Sequence, residues 1–445
     1  MKFNLVKLFL IACISFAFTS AFSQSKFPLL SLPDNSQDAI SRIAQNDAIN
    51  ADSTYKLLHN WSYYPAIEKI DREYLYYYTD SIFGKIPLRV YIPSNYKNTE
   101  KSPCVLMLHG ATTLGTFTGI DSLETFDPPV IFSTLKKQNY IIVRPISDNG
   151  KRFGWAVNKF SKTNNAPNPT YRVITQILVS LKRILNIDDN RVFALGHSDG
   201  SDGSISMGVY APDQFAGFVA YNSMLNALFA RDFYIRNIIN RPAYIVHSDL
   251  DKLRPIQTTR IIVDSLCKID DKLYYKEYIG YQHEDKHIDK DIRYAIAFLN
   301  SQVRNSFQSH IYWETNRGDL YNSCDWLNIT GVDVYWGPAA WYKVLNFDTG
   351  YHGLLYYSGL QRSATVKAFY LNNTFNIETS QATEVEIKLS PVMVNFEQPV
   401  TISINGKQAF NTKITPDKNF LIENFKRTFD RQALWVNSIK LKVTQ

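Results

Sequence analysis

Between about residues 81 and 305, short continuous apolar runs alternate with longer stretches in which apolar residues recur every three or four positions. The short runs are Cys104 to Leu108, Tyr140 to Val143, Val192 to Leu195, Phe218 to Tyr221 and Ala243 to Val246; Ile86 to Pro93 before them and Tyr274 to Tyr278 after them also read as strands. Runs of this kind suit strands of a parallel sheet covered on both faces. In the longer stretches Val173, Ile174, Ile177, Leu178, Leu181, Ile184 and Leu185 form one helical stripe. Ile256 to Leu266 and Ile288 to Val303 repeat that spacing. Strand alternating with helix in this way predicts an α/β sheet with flanking helices.

On either side of this block the pattern changes. Ser36 to Leu58 has helical spacing through Ile40, Ile43, Ala44 and Ala48, and Trp61 to Tyr78 is crowded with tyrosine. The reading is a helical extension over residues 24–80. From Ser306 onward short β-rich runs are separated by turn residues, as in Val400 to Ile404 followed by Asn405-Gly406, a hairpin signal. A β-sandwich is expected over 306–445, after a sheet domain over 81–305.

Residues 1–23 read as a signal peptide. Lys2 and Lys7 precede the apolar run Leu8 to Phe18, and Ala21-Phe22-Ser23 suits cleavage before Gln24 or Ser25. The chain is therefore expected to be exported, to the periplasm or beyond. Leu10-Ile11-Ala12-Cys13 also resembles a lipoprotein box, but the apolar run continues past Cys13. No later run approaches the 20 or so apolar residues of a spanning helix, so no stable membrane insertion is expected after cleavage.

Composition narrows the classes further. With 45% hydrophobic and 20% charged residues the chain is a folded globular protein rather than a disordered one. Its net charge of +7 is small and dispersed, and falls to about +5 without Lys2 and Lys7. No basic cluster interleaved with aromatics marks a nucleic-acid partner. Cys104, Cys267 and Cys324 are an odd number beyond the signal, so no disulfide framework is legible.

The chemistry centres on Gly196-His197-Ser198-Asp199-Gly200, a G-x-S-x-G pattern directly after the strand Val192 to Leu195 and before the small residues Ser201, Gly203 and Ser204. A nucleophile elbow requires this strand-turn-helix setting. A serine hydroxyl needs a base, and His283 follows a strand and the loop 279–282 just before the last helix of the block. An acid to hold that imidazole is expected between the two, where Asp249 and Asp251 follow a strand and Asp251 is preferred. The oxyanion would be held by the N–H of Asp199 and that of Ala111 or Thr112, after the strand that ends at Leu108. His109 in that loop is read as a buttress.

Together these residues resemble the α/β-hydrolase superfamily, in particular secreted esterases and prolyl-oligopeptidase-like hydrolases, from about Phe83 to Phe298. The landmarks are IPLRVYIPSNY, LHGA, GHSDG, HSDLDKLRP and GYQH. The resemblance puts the acid on Asp251 and the base on His283, and implies ester cleavage through an acyl-enzyme without metal or organic cofactor. The substrate would be a small or polysaccharide ester. Two positions depart from the family pattern: Ser248 replaces the usual glycine, and Asp199 stands where an uncharged residue is common.

Three rival readings use other features. His283-Glu284-Asp285-Lys286-His287 matches the zinc motif H-E-x-x-H, although its charged middle suits a buried helix face poorly and no third ligand is evident. Trp313, Trp326, Tyr335, Trp336, Trp341 and Tyr342 could form a sugar-stacking platform or simply a core; the former would suit a noncatalytic glycan-binding protein. A serine peptidase would use the same triad on amides.

Overall fold

The protein is described from a computed structural model. It describes residues 26–112, 117–150, 153–155, 168–225, 233–269, 272–333 and 363–444, with the backbone of 347–348 and 355–356. The signal-peptide reading falls outside these residues, except that the chain after Ser25 is described.

The central sheet has eight strands: β1 (Arg72–Asp80), β2 (Gly84–Ile92), β3 (Ser102–Leu108), β4 (Ile141–Pro145), β5 (Ile187–His197), β6 (Gly217–Tyr221), β7 (Ala243–Ser248) and β8 (Leu273–Tyr278). Their order across the sheet is β1-β2-β4-β3-β5-β6-β7-β8. Strand β2 pairs antiparallel with β1 and β4, and the strands from β4 to β8 run parallel.

Side chains alternate between the faces of a strand, so each apolar run divides into two cores. Leu106, Ala194, Phe218 and Ile245 point to one face. There they meet Val173, Ile177 and Leu181 of α4 (Thr170–Ile184) and Ile262 of α6 (Ile256–Leu266). Val105, Phe193, Val219 and Val246 point to the other. They are covered by α3 (Pro129–Leu135) and by Ile292, Ala295 and Leu299 of α7 (His287–Ser301). Continuous hydrophobicity is therefore what both-sided burial requires.

The N-terminal expectation needs correction. Two helices, α1 (Ser36–Gln45) and α2 (Ala51–His59), are present, but the tyrosine-rich stretch is β1, paired residue for residue with β2 from Arg72↔Ile92 to Asp80↔Gly84. Aromatic residues favour a pleated, half-buried surface, and pairing with β2 outweighs any continuation of the helical region. Asp80 Oδ1 accepts the N–H groups of Ile82 and Phe83 to shape the connecting turn, and Gly84 takes φ +70°. The sheet thus begins near residue 72.

Beyond α7 lies a β-sandwich. One sheet contains β9 (His310–Thr315), β14 (Ala364–Leu371), β15 (Thr374–Ser380), β17 (Val400–Ile404) and β18 (Lys407–Thr412). The facing sheet contains β10 (Ser323–Cys324), β11 (Leu327–Val332), β16 (Ala382–Leu389) and β19 (Asn437–Lys442); β12 (Phe347–Asp348) and β13 (Leu355–Tyr356) pair separately. The two larger sheets share one core, in which Trp313 and Trp326 are fully buried. These two are therefore core residues and take no part in a sugar platform; Tyr335, Trp336, Trp341 and Tyr342 lie outside the described residues. One helix, α8 (Lys418–Thr428), was not anticipated here. Its Leu421, Ile422 and Phe425 pack with Ile40, Leu58 and Trp61 of the N-terminal segment and Val179 of α4.

Buried ion pairs join sandwich and sheet. Arg431 Nε meets Asp189 Oδ2 at 2.7 Å, Arg304 makes a two-pronged pair with Asp430 at 2.6 and 2.9 Å, and Arg241 pairs with Asp325. Among the described residues no helix is long and apolar enough to cross a membrane.

Candidate active site

Strand register brings Leu108, Gly196, Ala220 and Ile245 level across β3, β5, β6 and β7. The residues just beyond these positions gather at the carboxyl edge of the sheet, where open α/β folds place their sites.

Ser198 sits between β5 and α5 (Asp199–Tyr210) with φ +55° and ψ −125°, a conformation costly for a residue with a Cβ. Glycines make the turn possible. A Cβ on Gly196 would overlap the backbone of Gly200, and one on Gly200 would overlap the carbonyl of Leu108. The hydroxyl is thereby lifted at the N-terminus of α5, whose first N–H groups, Asp199 among them, have no acceptor within the helix.

His283, in the loop before α7, lies with Nε2 2.9 Å from Ser198 Oγ. Its Nδ1–H donates to Asp251 Oδ2 at 2.7 Å. Asp249 instead accepts the Gly280 N–H at 2.7 Å and takes no part in this chain. The Oδ1 of Asp251 accepts the N–H groups of Leu253 and Arg254 at 3.0 and 2.8 Å. Burial opposes its charge, but bonds from His283, Asn222 and Arg254 prevail and hold the carboxyl down at about 2. The arrangement can take a proton from a hydroxyl and stabilise the resulting imidazolium.

The proposed oxyanion loop lies beside the serine: a Cβ on Gly110 would come 3.8 Å from Ser198 Cβ. His109 anchors this loop, since its Nε2 accepts the Ser147 N–H at 3.0 Å and its Nδ1–H donates to the Gly110 carbonyl at 2.6 Å. Trp155 Nε1–H donates to the His109 carbonyl at 2.8 Å. Ala111 is exposed and Thr112 half-buried.

The H-E-x-x-H pattern does not form a zinc motif. His283 lies in the loop and α7 begins only at His287, so the two imidazoles do not share a helical face. One faces Ser198 and Asp251; the other donates Nε2–H to Asn222 Oδ1 at 2.8 Å.

Two residues that sequence reasoning missed account for the departures noted above. Arg254 donates to Asp199 Oδ1 and to Asp202 Oδ1, each at 2.7 Å, so the carboxylate beside Ser198 is paired. Asn222, just after β6, donates from Nδ2 to Asp251 Oδ2 at 2.7 Å and to Ser248 Oγ at 2.6 Å. Ser248 in turn donates to the Gln282 carbonyl at 3.0 Å. Arg254 was visible within HSDLDKLRP; Asn222 had only its place after a buried strand to mark it.

Residues 79–272 match the esterase family model described as "Putative esterase". Comparison with curated proteins gives no match. Among solved structures, a thermostable esterase shares 22% identity, with 53% of this chain and 64% of that chain covered and a TM-score of 0.44. An S-formylglutathione hydrolase from Agrobacterium tumefaciens shares 13% identity over 52% of this chain and 95% of that one, TM-score 0.41. FphF, a fluorophosphonate-binding serine hydrolase from Staphylococcus aureus, shares 18% over 52% and 99%, TM-score 0.39. The sheet domain has the α/β-hydrolase strand order, and its residues 79–272 are similar to that esterase family. In that segment the chain is similar to carboxylesterase-like serine hydrolases.

Proposed function

We propose that the protein is an exported serine esterase acting through an acyl-enzyme, with Ser198 as nucleophile, His283 as general base and acid, and Asp251 fixing the imidazole tautomer. The observation that carries this reading is the unbroken hydrogen-bonded series Ser198–His283–Asp251, at 2.9 and 2.7 Å. Ser198 Oγ bonds to the acyl carbon as its proton passes to His283 Nε2, and the carbonyl electron pair moves onto oxygen. The N–H of Asp199 and that of Ala111 or Thr112 hold this oxyanion. Collapse breaks the bond to the alcohol, which leaves with the proton from Nε2. Water then attacks the acyl carbon, giving its proton to Nε2. Ser198 departs with that proton, freeing the carboxylic acid.

Export rests on Lys2, Lys7 and the apolar run that follows them. An exported esterase meets polymers that a cell cannot import, so acylated polysaccharide is the proposed substrate class. The test is fluorophosphonate labelling of the mature protein with mass spectrometry. A stoichiometric adduct on Ser198, absent from His283→Ala, is expected, followed by turnover of acetylated or feruloylated glycans. Turnover of amides alone would make it a peptidase. No adduct, together with glycan binding unchanged in Ser198→Ala, would make it a binding protein.

A further inference from the structure

Asn222 is fully buried and holds the left-handed φ of +56° at the carboxyl end of β6. Its amide orientation follows from its partners. A carboxylate can only accept, so Nδ2 must face Asp251 Oδ2, leaving Oδ1 to accept the His287 Nε2–H at 2.8 Å. The second proton on Nδ2 goes to Ser248, whose hydroxyl reaches the carbonyl of Gln282, the residue before His283. One side chain therefore grips the acid directly and the base-bearing loop through one hydroxyl.

We propose that Asn222, held in its amide orientation by His287, is a positioning residue that ties Asp251 to the His283 loop and sets the pH at which the site becomes active. The proposal rests on the reading of Ser198, His283 and Asp251 as a triad.

The pH effect follows from a shared oxygen. Asn222 and His283 both donate to Asp251 Oδ2, so the amide takes up part of the negative charge that would otherwise favour the imidazolium. Without the amide the imidazolium is stabilised more strongly, and a higher pH is needed to free the base. Other groups face the pair. His247 Nε2 lies 3.6 Å from Asp251 Oδ2, and the His197 ring centroid lies 4.9 Å from that of His283. Burial holds His247 and His197 neutral, at about 4 and about 3, and lowers His287 as well. Arg254 stays charged between Asp199 and Asp202, and Asp291 is tied to Tyr221, Tyr244 and Tyr278. Asp127, against Gly110 on the nucleophile side, is raised by burial to about 7. None of the groups that shift it is altered in these variants, so differences between profiles report on Asn222 and His287.

The experiment measures the rate of fluorophosphonate labelling of Ser198 from pH 5 to 9, with thermal melts, in the wild type, Asn222→Leu, His287→Leu and His287→Gln. Asn222→Leu should move the acid limb upward by about 0.5–1 pH unit and slow labelling at neutral pH by roughly 10–100-fold, well short of the ~10⁴ expected for disabling the acid itself. His287→Leu should move the limb in the same direction by less. His287→Gln should restore it, because the Gln Nε2–H can stand where the imidazole Nε2–H stood. A purely structural role would lower rates or melting temperatures without moving the limb. Unmoved limbs in both leucine variants, or equal losses in His287→Leu and His287→Gln, would overturn the proposal. A folded wild type that takes no label would instead overturn the triad reading beneath it.

Discussion

The two sides of the site are built from different materials. The Ser198 side is made of backbone: Ser198 owes its position to a positive φ and to glycines that let β5, α5 and the end of β3 approach within contact. The Asp251–His283 side is made of side chains, since both residues occupy loops whose positions depend on Asn222, Ser248 and the Arg254 N–H. Backbone geometry demands particular residues at adjacent positions and so leaves a motif. A side-chain network can be assembled from distant segments, as Asn222 and Asp251 are, and leaves none.

The contrast can be broken or sharpened by substitution. The largest effect is expected on the side-chain side: Asp251→Asn should lower kcat by about 10⁴ while leaving the fold intact, because the imidazole is no longer held in its productive tautomer. A loss under about tenfold in a folded variant would remove Asp251 from the triad. On the backbone side Gly200→Ala should act on stability, because its methyl would overlap the Leu108 carbonyl. A cost of about 1–3 kcal/mol in urea unfolding is expected. An unchanged midpoint with normal activity would show that this approach can relax freely. Smallest, Arg254→Gln should lower kcat/KM by roughly tenfold by freeing the Asp199 carboxylate to oppose the oxyanion, and Asp199→Asn in the same chain should recover part of the loss. Additive losses in that double variant would show that the charge of Asp199 is not felt at the reacting carbonyl.

The same division governed what could be read in advance. The apolar runs anticipated the strands β3 to β7 because both-sided burial writes itself as continuous hydrophobicity, whereas β8, with Lys276 and Glu277, is only half-buried. Ser198, His283 and Asp251 follow strands at the edge where their motifs placed them, and they meet. The tyrosine-rich β1 escaped, since tyrosine suits a half-exposed strand and a packed helix surface alike, and only pairing with β2 decides between them. Trp313 and Trp326 were ambiguous for a related reason: an aromatic side chain carries no sign of whether it faces a core or a ligand. Asn222 and His287 required three-dimensional neighbours to acquire any meaning.

The ion pairs between sheet and sandwich constrain how this protein can change over generations. Asp189 and Arg431, Arg304 and Asp430, and Arg241 and Asp325 are far apart in the chain yet buried together. Replacing one member of the Arg304–Asp430 or Arg241–Asp325 pair alone strands a charge away from water at a cost of about 3–5 kcal/mol, a large share of an ordinary domain's stability, while Asp189 would keep the buried Lys182 at 3.1 Å if Arg431 were lost. In those two pairs viable lineages must therefore alter both members in concert or neither. A sandwich transplanted from another protein would have to bring its own matching set of charges in the same register.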